Sequence, residues 1–98
     1  MKLHHQHKHP AQQALMHAIS QLHTAEEAAL FFGDLCTPAE LEAMADRWEV
    51  VPLLRQGVAY RRIHEQTGVS VTTITRVARS LSLGLGGYTL MAQRLEQS

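Results

Sequence analysis

The sequence predicts an all-α fold of about six helices that contains a helix-turn-helix, and three observations predict it. Apolar residues recur at intervals of three and four through most of the chain, with no alternating run that would mark a strand. Capping residues and glycines punctuate these stretches at helix-length spacing. Residues 60 to 80, Tyr60-Arg-Arg-Ile-His-Glu-Gln-Thr-Gly-Val-Ser-Val-Thr-Thr-Ile-Thr-Arg-Val-Ala-Arg-Ser80, read as two short helices joined by a glycine turn.

Residues 1–10 hold His4, His5, His7 and His9 and read as a tail or a purification tag, with metal binding as the other reading. Residues 11–98 read as one helical domain. Its first helix carries a stripe of Ala11, Leu15, Ala18 and Leu22 with Ile19 alongside. Thr24 with Glu27 three residues on is a capping-box signature for a second helix through Phe31 and Phe32, which Gly33 should stop. Thr37, Pro38 and Glu40 supply an N-cap, a first-turn proline and a carboxylate for the third and longest helix. Leu41, Met44, Ala45, Trp48, Val51 and Leu54 form its stripe. Pro52 removes the hydrogen bond to the Trp48 carbonyl and should bend or loosen the last turn. After the helix-turn-helix, Gly84-Leu-Gly-Gly87 reads as a flexible break before a terminal helix with Tyr88, Met91 and Leu95 on its apolar side.

Within residues 60–80, Gly68 can take positive φ without steric cost, which ends one helix and redirects the chain. Ser70 suits the N-cap of the next. Ile63, Val69, Ile74 and Val77 have the spacing to bury one seam between the helices. That leaves Val71, Thr72, Thr75, Arg76 and Arg79 outward, a set that can meet thymine methyls, base edges and phosphates in a major groove. His64 reads either as a partly buried packing residue or as a phosphate contact. Ala59 stands where a capping residue would suit the first helix of the pair. The rival to DNA recognition is an interaction module whose helix-turn-helix docks on a protein partner.

Ninety-eight residues make one small domain with much exposed surface. No apolar run approaches a membrane span and no secretory signal opens the chain, so a soluble cytoplasmic protein is expected. The single cysteine, Cys36, excludes an intrachain disulfide and reads as a small buried hydrophobe more readily than as a reactive thiol. Net charge is zero but segregated. Residues 51–79 hold five arginines against Glu65, whereas residues 38–50 hold Glu40, Glu42, Asp46 and Glu49 against Arg47. The basic stretch coincides with the helix-turn-helix, so attraction for phosphate is local. There is no phosphate-binding glycine loop, no dinucleotide fingerprint and no pair of Cys-x-x-Cys sequences, and an enzyme is not expected.

With the helix order in place, the sequence resembles the Trp repressor superfamily, and more closely its small bacterial YerC/YecD-type regulators. The resemblance is carried by Leu35-Cys-Thr-Pro-Ala-Glu-Leu41, Ala45-Asp-Arg-Trp48, Thr67-Gly-Val-Ser70, Thr73-Ile-Thr-Arg-Val-Ala-Arg-Ser-Leu81 and Gly86-Gly-Tyr88, and runs from about Pro10 to Leu95. It implies an intertwined homodimer with paired recognition helices about 34 Å apart, and hence a roughly palindromic site on double-stranded DNA. Family DNA contacts fall on Arg61, His64, Val71, Thr72 and Thr75, with Arg62, Ser70 and Arg79 completing the DNA-facing set. Family effector contacts fall on Arg47 and Arg76, with Thr73, Ser80 and the second subunit's copy of Thr37 nearby.

The chain departs from the family at the effector pocket. Val77 stands where the Trp repressor has a glycine after the Ile-Thr-Arg arginine, Asp34 and Cys36 replace apolar pocket positions, and the segment from Trp48 to Gly57 is one residue shorter. A glycine would leave clearance for an indole that valine fills. The resemblance therefore implies a DNA-binding regulator, acting as a repressor, for which L-tryptophan is not the expected effector and no cofactor is required.

Overall fold

The computed structural model describes residues 2–98, with side chains from His9 onward; His4, His5 and His7, and the reading of them as tail, tag or metal ligands, lie outside the described side chains. Six helices and no strand form among the described residues: α1 (Lys2–Ser20), α2 (Ala25–Leu35), α3 (Pro38–Arg55), α4 (Tyr60–Thr67), α5 (Val71–Leu83) and α6 (Gly87–Gln97). They fall into two compact units, Met1–Pro38 and Ala39–Ser98.

In the first unit, α1 ends at Ser20 and a short connection leads to α2, whose N-cap is Thr24: the Glu27 N–H donates to Thr24 Oγ1 at 3.0 Å. The Glu27 carboxylate reaches one residue further back than a capping box requires and accepts from the His23 N–H at 2.9 Å. Gly33 does not stop α2. The helix runs through it to Leu35, and the Cys36 N–H closes the last turn on the Phe32 carbonyl. A glycine ends a helix when its φ turns positive, and Gly33 stays helical because its neighbours supply enough ladder bonds to outweigh its propensity cost. Phe31 and Phe32 meet edge to face, with ring centroids 5.7 Å apart. Cys36 is half-buried instead of fully enclosed. No residue from His9 to Pro38 is buried, so this unit leaves its apolar side uncovered, with Leu30 73% exposed.

The second unit has the core. Val50 and Val51 of α3, Ile63 of α4, Val69 of the turn, and Ile74 and Val77 of α5 form one cluster, flanked by Leu53, Leu54, Val58, Leu81 and Tyr88. Only the C-terminal half of the α3 stripe is enclosed; Leu41, Met44 and Trp48 remain exposed, and Val50, outside the expected stripe, is fully buried. The arc buried at that end is wider than one stripe because more than one element packs around it. Pro52 does not loosen the last turn. The helix continues through it, the Gln56 N–H reaches the Pro52 carbonyl at 3.1 Å, and Gly57 at φ +81° lets Gly57 and Val58 cap Leu54 and Leu53.

The terminal helix uses a different side from the one its sequence suggests. Tyr88 and Ala92 turn inward, while Met91 and Leu95 are 46% and 60% exposed. Tyr88 stacks on Trp48 at 6.3 Å between centroids, and Arg55 pairs with Glu96 at 3.2 Å, so α6 is fastened along α3. The preceding glycines have separate tasks. A side chain at Gly84 would collide with the Ser80 carbonyl, and Gly86 opens α6 in the left-handed region at φ +88°.

Two glycines make opposite predictions. Gly68 sits at φ +76°, so Gly68→Ala should destabilise the protein by about 1–2 kcal/mol. Gly33 is helical with open space where a side chain would stand, so Gly33→Ala should stabilise by about 0.5–1 kcal/mol. Urea unfolding followed by circular dichroism checks both; a shift of the same sign for the two would contradict the backbone assignment.

Candidate nucleic-acid interface

α4 begins without help from a side chain: Ala59 is its N-cap and forms no capping hydrogen bond. Its end is far better fixed. Gly68 takes the left-handed conformation and its N–H donates to the His64 carbonyl at 2.8 Å. Thr67, to which the sequence analysis gave no role of its own, straddles the turn: its hydroxyl donates to the Ile63 carbonyl at 2.7 Å and accepts from the Val69 N–H at 3.1 Å. A threonine one residue before a helix-ending glycine was the available signal. Ser70 then caps α5, accepting from the Thr73 N–H at 3.2 Å while its own hydroxyl donates to Thr73 Oγ1 at 3.1 Å.

With Ile63, Val69, Ile74 and Val77 all buried, the rotation of α5 about its axis is set by packing. Val71, Thr72, Thr75, Arg76 and Arg79 are consequently exposed, as are Arg61, Arg62, His64 and Ser70. His64 is exposed, yet its ring is tied to the turn, Nδ1 donating to the Val69 carbonyl at 2.7 Å in a part-buried contact. The result is a rigid ledge of hydroxyls, guanidinium groups and one imidazole, with the valine side chain of Val71 48% exposed at its leading end.

The residues expected around an effector are distributed differently. Arg76, Arg79 and Ser80, together with Leu83 and Gly84, line an open cleft of about 240 Å³ beside the C-terminal half of α5. Thr73 is half-buried, with its hydroxyl taken up by Ser70, and Arg47 is half-buried on α3. Val77 has no exposed surface and belongs to the core, so it lines no open cavity. Asp34 and Thr37 are exposed in the first unit. Among the described residues, no group of three or more His, Cys, Asp or Glu is arranged to hold a metal ion, and no helix is long and apolar enough to cross a membrane.

A family model for the Trp repressor protein matches residues 11–96, nearly the whole chain. The chain belongs to the Trp repressor family. The uncharacterized protein YerC of Bacillus subtilis (strain 168) is 39% identical over 84 residues, spanning 86% of this chain and 81% of YerC. Two crystal structures share the fold at a TM-score of 0.84. One is of a candidate Trp repressor from Staphylococcus aureus, 38% identical, with 89% of this chain and 87% of that one aligned. The other is of a "TrpR like protein" from Eubacterium eligens ATCC 27750, 41% identical, with 89% and 90% aligned. At these identities and coverages the six-helix order, including the helix-turn-helix, is a family property and not a local coincidence.

Proposed function

We propose that this chain is a regulator of transcription that binds a roughly palindromic site on double-stranded DNA as a homodimer and represses by occlusion. The observation that carries the reading is the division of α5 into a buried side of Ile74 and Val77 and an exposed side of Val71, Thr72, Thr75, Arg76 and Arg79. An amphipathic helix whose outer side is apolar would suit a protein groove; this one carries two hydroxyls and two arginines, which suits a DNA groove. Arg61 and Arg62 on α4 add positive charge and donors where a backbone would run, with His64 beside them and Ser70 at the turn between. Such a protein works where a bacterial chromosome lies, in the cytoplasm.

Dimerisation is supported by what the single chain leaves uncovered. No described residue of the first unit, His9 to Pro38, is buried, and Leu41, Met44, Trp48, Met91 and Leu95 stay exposed in the second. Covering that much apolar surface with a second copy would contribute roughly 25 cal/mol per Å².

An effector, if one acts, is not L-tryptophan in this reading. Arg47 and Arg76, with Thr73, Ser80, Asp34 and the second subunit's Thr37, remain the residues around which it would bind. Val77 fills the space beside α5 that an indole needs.

The recognition reading is tested by Thr75→Ala, which should weaken binding to the selected site by about 1–3 kcal/mol and leave random DNA nearly unchanged. Arg61→Ala should weaken both and make the salt slope shallower by about one unit per subunit. Equal losses on both duplexes for Thr75→Ala would show that it does not read bases.

For the dimer, the thermal midpoint should rise with protein concentration. A compact, stably folded monomer in sedimentation at micromolar concentration would refute it.

Calorimetric titration with L-tryptophan should give no saturable binding tighter than about 100 μM. Tighter binding coupled to stronger DNA binding would make it the corepressor after all.

A further inference from the structure

Gly68 ends α4 and leaves one backbone donor behind. In the turn it makes, the Gly68 N–H takes the His64 carbonyl at 2.8 Å, and the next N–H along, that of Val69, finds no backbone carbonyl. Val69 is 4% exposed, so water is a poor substitute. The partner is the side chain of Thr67, whose one hydroxyl hydrogen goes to the Ile63 carbonyl at 2.7 Å, leaving its lone pairs to accept from the Val69 N–H at 3.1 Å. A single hydroxyl thus joins the last turn of α4 to the first residue beyond the glycine. Val69 is also where the two helices are fitted together: its side chain enters the seam with Ile63, Ile74 and Val77, and Ser70, immediately after it, is the N-cap from which α5 begins. Thr67 is half-buried and its hydroxyl is engaged on both sides, which leaves it no part in touching DNA itself.

We propose that Thr67 is a positioning residue for DNA recognition: its hydroxyl sets where α5 starts relative to α4, and so whether the two helices meet their parts of a duplex at the same time. The inference rests on the DNA-binding reading above and deepens it. In that reading α4 carries the phosphate-facing Arg61 and Arg62, and α5 carries the base-facing Thr72 and Thr75. A hydrogen bond to a base edge holds only within about 0.5 Å and about 10–20° of its best geometry, so a turn free to shift spoils base contacts first. Attraction between charges falls off gradually with distance and survives the same shift. Without the hydroxyl, discrimination between sequences is lost and affinity for any duplex is kept.

The test compares the full chain with Thr67→Val, which keeps the side chain's shape but not its hydroxyl, and with Thr67→Ser, which keeps the hydroxyl. Each is titrated into selected and random duplexes at one salt concentration by fluorescence anisotropy, and its helicity is checked by circular dichroism. A loss of folded protein lowers the binding-competent fraction and weakens both duplexes by the same factor, whereas a loss of positioning changes their ratio. Thr67→Val is expected to keep its helices and to bind random DNA within about twofold of the full chain, while its preference for the selected duplex falls about tenfold. Thr67→Ser should return that preference to within about threefold of the full chain's. In Thr67→Val the Val69 amide should exchange its hydrogen faster, with the Ile74 and Val77 amides of α5 still protected. An unchanged preference in Thr67→Val, or an equal loss on both duplexes, would overturn the proposal and leave DNA binding intact. So would a Thr67→Ser chain that discriminates no better than Thr67→Val, or a Thr67→Val chain that does not fold, since the hydroxyl would then be a stabilising group only. A full chain with no preference for any selected duplex would overturn the DNA-binding reading, and this inference with it.

Discussion

Everything in the second unit depends on one small dry cluster, in which Ile63, Ile74 and Val77 close against Val50 and Val51 with no buried polar side chain among them. The residues are short and mostly β-branched, so their side chains have few rotamers to exchange. That stiffness matters for the outer surface. A helix pinned by Ile74 and Val77 cannot roll, and the directions of Thr72, Thr75, Arg76 and Arg79 are fixed before any ligand arrives. Truncating any of the five fully buried residues would cost stability and also blur the surface they orient.

The turn between α4 and α5 completes this arrangement with polar means. Gly68 reverses the chain, Thr67 satisfies the Val69 N–H, His64 satisfies the Val69 carbonyl, and Ser70 caps the next helix. Both backbone groups of a buried residue, Val69, thus find partners from side chains on the helix it leaves. Three of those four residues also sit at or beside the surface proposed to face DNA. Structural and recognition roles are shared by the same few atoms, and a substitution there will rarely affect one alone.

The first unit follows a different economy. Its second helix is well capped, yet no residue from His9 to Pro38 is buried. A pair of helices of this size gains little from propensity, and an amphipathic side left open needs covering from elsewhere. A second copy is the covering proposed above, which is why oligomerisation and DNA recognition stand together in the proposed function.

Local signals carried much of this fold. Thr24, Ser70 and Gly68 act as their residue types require because a cap or a left-handed turn depends on a few neighbouring atoms. The seam of Ile63, Val69, Ile74 and Val77 was legible for the same reason, its partners being separated by only a short turn. Tertiary structure decided what periodicity leaves open. It ran α2 past Gly33, enclosed Val50, turned Ala92 inward in place of Met91, and exposed His64 while tying its ring to the turn. Each of these depends on which side of a helix another element covers, and a helix with apolar residues on two adjacent sides satisfies either choice until that neighbour is in place.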